Sequence, residues 1–193
     1  MQQWEHRVAP LAGPDDLRAW GEQGWELVAV REGTAYLRRP APSFRERVTE
    51  EQRQAALGAA GAPPVSGPGR RLLHPEVLRA FAQVGHTDLV TIADRGFPVP
   101  LGIERIDLAL TDDLPTVLDV LEVLLPLFRP DRLVLTLEMR AVSPARVREL
   151  EALVGERKLE FVSHEAFKRL AGEVRATVRT GDSTPYANVI WVG

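Results

Sequence analysis

The sequence contains no cysteine. Disulfides, thiolate nucleophiles and cysteine-based zinc sites are therefore excluded, and the absence suits a reducing compartment. No apolar stretch is long and uncharged enough to span a bilayer. The longest, Leu114 to Phe128, is broken by Asp119, Glu122 and Pro126. The opening residues Met1 to Arg7 lack the apolar core of a secretion signal, so a cytoplasmic protein is expected. A formal charge of −3 gives no field that would gather nucleic acid or an anionic membrane, and neither is expected as a partner. Glycine-rich phosphate loops, Gly-x-Ser-x-Gly elbows and His-Glu-x-x-His motifs are also missing. The usual support for nucleotide, hydrolase and zinc-protease readings goes with them.

What is present divides into three segments. Residues 1–40 read as a small βαββ module. Trp4 to Val8 alternates, and Gly13-Pro14-Asp15-Asp16 opens a helix with acidic residues at the positive end of its dipole. Trp25 to Val30 reads as a strand, and Thr34 to Leu37 returns after the turn Glu32-Gly33. Three of the four tryptophans lie here. They are expected to form the core of a unit that buries little by itself, the alternative being an exposed aromatic patch for a partner. Residues 41–70 read as a partly helical linker, with a helix possible over Phe44 to Ala60 and linker composition from Gly58 to Gly69.

Residues 71–193 read as the main domain. Strands are expected at Leu89 to Ala93, Glu104 to Leu110, Arg132 to Leu137, Leu159 to Val162, Arg175 to Arg179 and Tyr186 to Val192. Helices are expected from Pro75 with Gly85 as its stop, from Asp113-Leu114-Pro115 to Leu127, from Ser143-Pro144 to Val154, and from His164 to Gly172. The alternation argues an α/β fold with a central, mostly parallel sheet and flanking helices. Such sheets bind ligands beyond the carboxyl ends of their strands. Asp94 lies at one such end, and the loop Thr180 to Pro185, which presents Tyr186, lies at another.

Read singly, the polar residues leave alternatives open. His86 and Asp94 flank one buried strand; His86 suits a capping or surface histidine, and Asp94 a cap for the turn at Gly96. His164 follows the helix-capping Ser163, and Tyr186 and Asn188 would share one face of a strand. His6 and His74 read as surface residues, and Asp88, Arg105, Asp107 and Arg179 as structural. A metal reading of His86, Asp94 and His164 finds no ligand signature in their spacing.

Several stretches occur together in one order: Gly85-His86-Thr87-Asp88, Asp94 to Pro100, Arg105 to Thr111, Ser163 to Lys168, Arg179-Thr180-Gly181-Asp182 and Pro185 to Ile190. On these stretches the chain from about Leu72 to Gly193 resembles the ribose pyranase and fucose mutarotase family. Thr87, Gly96 and Ala187 side with the ribose branch, since the fucose branch prefers Gly-His-Gly-Asp, Ala-His-Phe-Pro and Tyr-Gly-Asn. The resemblance implies interconversion of the pyranose and furanose forms of D-ribose by general acid/base chemistry, without metal or organic cofactor. It implies His86 as proton donor and Asp94, His164, Lys168, Tyr186 and Asn188 as sugar-binding residues. It also implies a ring-shaped homo-oligomer in which the Tyr-Ala-Asn segment of one subunit completes a neighbour's site. Other readings are a mutarotase for another sugar, a non-catalytic sugar-binding regulator of ribose uptake or metabolism, and an interaction protein in which the front module acts. Arg95 departs from the branch, which has a small residue there; a solvent-facing side chain is expected. The chain stops at Gly193, a few residues short of the usual end, which leaves the pairing of the last strand open. Residues 1–40 resemble a small uncharacterised βαββ family marked by Gly-Trp-Glu-Leu-Val, here Gly24 to Val28, which implies no activity.

Overall fold

The computed structural model describes residues 3–58 and 71–193. The chain forms two compact units, Met1–Glu51 and Gln52–Gly193. Most of the expected linker run Gly58 to Gly69 lies outside the described residues.

The first unit is the expected βαββ arrangement: β1 (Trp4–Pro10), α1 (Pro14–Glu22), β2 (Glu26–Arg31) and β3 (Thr34–Pro40), with β3 central and antiparallel to both neighbours. Gly24 and Gly33, at φ of 79° and 75°, make the two tight reversals that a side chain would strain. The tryptophans divide. Trp20 joins Ala9, Ala35 and Leu37 in the core, and Trp25 packs at its margin. Trp4 stays exposed beneath the Arg38 guanidinium. Helix α2 (Phe44–Gly58) follows.

The second unit runs α3 (Pro75–Ala82), β4 (Leu89–Ala93), β5 (Glu104–Asp107), α4 (Val117–Leu124), β6 (Arg132–Thr136), α5 (Leu137–Val142), α6 (Pro144–Val154), β7 (Lys158–Val162), α7 (His164–Ala171), β8 (Ala176–Arg179) and β9 (Val189–Val192). Its six-stranded sheet has the order β5-β8-β4-β9-β6-β7. Five strands run parallel, and β9 lies antiparallel between β4 and β6. The mostly parallel α/β sheet read from the sequence is thus observed. β4, β6 and β9 are buried along their whole length, which is why their sequences are mostly apolar. Trp191 anchors one face, edge-on to Phe81 at 5.2 Å.

Four expectations need correction. The last strand begins at Val189, because Tyr186 sits in the left-handed region (φ 60°) and Asn188 N–H bonds the Tyr186 carbonyl at 2.7 Å, a tight turn. Tyr186 and Asn188 therefore do not alternate along a strand. β5 stops at Asp107, and α4 starts only at Val117, where Thr116 and Asp119 form a reciprocal capping box. Between them the chain turns back on itself through Thr111 and Leu114. Gly85 is not the residue just past α3, whose cap is Gln83; its N–H is bound by the Asp88 carboxylate at 2.8 Å. His74 keeps a side chain 37% exposed, as expected of a surface residue, and also caps α3, its Nδ1 accepting from Val77 N–H at 3.4 Å. Helix α5, which follows β6 without a break, had no separate apolar period to reveal it.

Candidate active site

The carboxyl ends of the parallel strands and the start of the antiparallel β9 share one edge of the sheet. That edge gathers the polar residues. Asp94 leaves β4 and meets Asn188, which precedes β9. Asn188 Oδ1 accepts from Asp94 N–H at 2.9 Å, and Asn188 Nδ2 donates to Asp94 Oδ2 at 2.8 Å. The other Asp94 oxygen accepts from Gly96 N–H at 2.9 Å, so the capping reading of Asp94 also holds. Burial pushes the Asp94 carboxyl up from its ordinary range against the pull of these donors, and the Asp182 charge adds to the rise. A raised carboxyl favours the protonated folded state. Ionised Asp94 therefore costs stability at neutral pH, a cost relieved as pH falls through the raised value.

His164 opens α7 behind the Ser163 cap, and its ring meets the Tyr186 ring edge-on at 5.2 Å. Its Nδ1 is buried and finds no hydrogen-bond partner among the described residues. Lys168 stands one turn further along α7, exposed. The Arg95 side chain is exposed, its guanidinium paired with the exposed Asp112, in line with the solvent-facing expectation.

The loop carrying Tyr186 is held from below. Asp182 is fully buried and accepts from Val117 N–H (3.0 Å), Thr184 N–H (2.9 Å) and Arg146 Nη1 (2.7 Å). Arg146 Nη2 reaches Thr184 Oγ1 at 2.8 Å. Gly181 has no room for a side chain, since a Cβ would lie 2.2 Å from the Thr111 carbonyl oxygen. Three functional candidates escaped sequence reasoning: Arg146, Asp182 as an anchor, and Glu138, whose Oε2 accepts from His164 N–H at 2.9 Å. The available signal for Glu138 was its place just past the carboxyl end of β6.

His86 is elsewhere. β4 pairs with β9 so that Leu89 faces Val192 and Ile92 faces Val189. His86 therefore lies by the Gly193 end, where Thr87 N–H bonds the Gly193 carbonyl, while Asp94 and Asn188 lie at the other. Five strand residues at about 3.3 Å each put roughly 17 Å between those ends. The metal grouping of His86 with Asp94 and His164 is thus not assembled within one chain. His86 is exposed and follows no regular element. Its neighbour Thr87 adopts φ 68°, a conformation a β-branched residue rarely takes. Thr87→Gly should relieve that strain and stabilise the protein by about 1 kcal/mol, seen as a higher denaturant midpoint at unchanged slope.

Comparison with known proteins returns the same mixed α/β architecture. Residues 69–192 match the RbsD / FucU transport protein family, and the chain belongs to that family. Over 119 residues it is 43% identical to the D-ribose pyranase of Coprothermobacter proteolyticus, covering 62% of this chain and 91% of that one. It is 42% identical over 127 residues to the D-ribose pyranase of Haemophilus influenzae (strain 86-028NP), with the same coverage. Among solved structures, Bacillus subtilis RbsD complexed with D-ribose superposes with a TM-score of 0.62 at 36% identity, covering 66% of this chain and 97% of that one. Residues 1–68 lie outside the family match.

Proposed function

We propose that the protein is a D-ribose pyranase, a cytoplasmic isomerase that interconverts the pyranose and furanose forms of D-ribose. The observation that carries the reading is the Asp94–Asn188 pair beside the His164–Tyr186 rings, in a chain about 40% identical to D-ribose pyranases. Opening the pyranose breaks the bond between C1 and the ring oxygen. The ring oxygen gains a proton and the anomeric hydroxyl loses one, leaving an aldehyde. Closure to the furanose reverses both transfers, with the C4 hydroxyl adding to C1. A histidine can give and take those protons near neutral pH, and His86 takes that role. Asp94, already orienting on Asn188 and Gly96, keeps lone pairs for sugar hydroxyls. Asn188 and Tyr186 supply matching polar groups, His164 a ring nitrogen, and Lys168 a cation at the margin. The His164 Nδ1, which has no partner among the described residues, supports a site completed by groups that those residues do not supply.

His86 cannot reach this cluster in its own subunit, so it enters from a neighbouring copy, in a ring-shaped homo-oligomer with its sites at subunit interfaces. Residues 1–40 are an accessory module and residues 41–70 a linker. The test is magnetisation exchange between the anomeric protons of D-ribose pyranose and furanose by NMR. Acceleration by the full chain, retained by residues 71–193, is expected. Ribose binding without acceleration would make the protein a sugar-binding regulator instead. Loss of activity in the shortened chain while its sheet stays folded would return residues 1–70 to the catalytic unit.

A further inference from the structure

The mechanism leaves Glu138 unused, yet it is the residue best placed to govern the His164–Tyr186 pair. It lies in the first turn of α5, directly after β6, with Thr136 capping that helix through Met139 N–H at 3.1 Å. The position is rigid, since β6 is buried throughout and Met139 is fully buried. From it the Glu138 Oε2 accepts the backbone N–H of His164 across the sheet edge at 2.9 Å. That N–H belongs to the first turn of α7, where backbone donors have no partner inside the helix. Ser163 satisfies the Ala166 N–H, so Glu138 and Ser163 together close the helix start. Hydrogen bonds from His164 N–H and from its own backbone N–H hold the Glu138 carboxyl below its ordinary range, with the nearby His164 imidazole acting in the same direction.

The same short helix also reaches the backbone just before the other residue of the pair. Ser143, at its end, donates its hydroxyl to the Pro185 carbonyl at 2.9 Å, one residue before Tyr186. Tyr186 then takes its left-handed conformation, which surrounding structure must impose on a residue of that kind. α5 thus grips the backbone immediately at His164 and immediately before Tyr186, and the two rings stand edge-on between these points.

We infer that Glu138 is a positioning residue of the sugar site: its carboxylate, by holding the His164 backbone N–H, fixes the His164–Tyr186 ring pair in the orientation that receives the sugar. This rests on the proposed function for its effect on ribose, but not for its effect on the rings. A role through orientation predicts a change in substrate affinity more than in the proton transfers assigned to His86.

The test uses the full-length protein with ring-13C-labelled histidine. The chain has four histidines, and His6 and His74 serve as internal controls, His74 as a helix cap in the same unit. His164→Gln assigns the His164 resonance, and Tyr186→Leu gives its position without the ring partner. Glu138→Ala should move the His164 resonance to the Tyr186→Leu position and leave those of His6 and His74 in place. It should raise KM for ribose about tenfold, the weight of one charge-assisted hydrogen bond, with kcat within about threefold of wild type. Glu138→Gln keeps an acceptor oxygen of similar reach, and should hold the His164 resonance near its original place and KM within about threefold. An unmoved His164 resonance in Glu138→Ala overturns the inference, and so does a Glu138→Gln variant as impaired as Glu138→Ala. A protein that does not accelerate ribose exchange, but whose His164 resonance responds as described, would sink the proposed function and leave the positioning role standing.

Discussion

His86→Ala and Asp94→Asn subunits, each inactive on its own, should regain activity when mixed within one oligomer. The expectation follows from the register of β4 and β9. That register places His86 and Asp94 at opposite ends of one strand, about 17 Å apart, so the proposed mechanism requires a proton donor from one chain and a sugar-binding cluster from another. In an equal, random mixture, a given interface draws its His86 from an intact donor half the time and its Asp94 from an intact acceptor half the time. About a quarter of the interfaces are then complete, and about a quarter of the wild-type exchange rate should return. His86→Ala alone should lose on the order of 10²-fold or more, the usual weight of a general acid/base group, and Asp94→Asn alone should lose sugar binding and the activity with it. Neither change should unfold the chain. His86 is exposed, and an asparagine at 94 keeps an oxygen for one of the two donors that Asp94 receives and removes a carboxyl whose ionised form burial disfavours. Co-expression from one plasmid, followed by NMR exchange on the purified mixture, reads the result. Recovery at zero, with mixed oligomers demonstrated by mass spectrometry, would place His86 and Asp94 in separate functions.

The same register explains what the sequence could and could not reveal. Apolar runs such as Leu89 to Ala93 announce buried strands because every side chain on them is covered, and the alternation of such runs with helical segments is enough to argue a mostly parallel sheet. Motif order carried the family resemblance. Spacing could not reveal that β9 inserts antiparallel between β4 and β6, because pairing is a non-local property. That insertion brings Asn188 against Asp94 and sends His86 away from both. The turn at Tyr186 was hidden for a different reason. Tyrosine has a high strand propensity, and the residues that force it into a left-handed conformation lie outside its own segment. Glu138 and Arg146 act on backbone groups and on a carboxylate far along the chain, 26 and 36 residues away, and no local pattern marks such partners.

Arg146→Met should be the most destabilising single change around the site. Asp182 is wholly buried and its Arg146 partner nearly so. Removing the guanidinium leaves a carboxylate in the interior with two backbone N–H donors and no counter-charge. Breaking a buried pair on one side typically costs about 3–5 kcal/mol, which in a chain of this length lowers Tm by roughly 6–20 °C. Replacing both partners, as in Arg146→Met with Asp182→Asn, should cost less than the sum of the single changes, because no unpaired charge remains; the cycle should show a coupling of about 1–3 kcal/mol. The site should register the change as well. Asp182 already raises the Asp94 carboxyl through its charge, and without Arg146 that charge is less compensated. The Asp94 value should therefore move further up, and the acid limb of the ribose exchange rate should shift to higher pH in Arg146→Met and back towards wild type in the double variant. Thermal denaturation and a pH–rate profile of the three variants measure both effects. Strict additivity with an unmoved acid limb would reduce Asp182 and Arg146 to ordinary packing and leave the Tyr186 loop held by Gly181 and the Ser143–Pro185 contact.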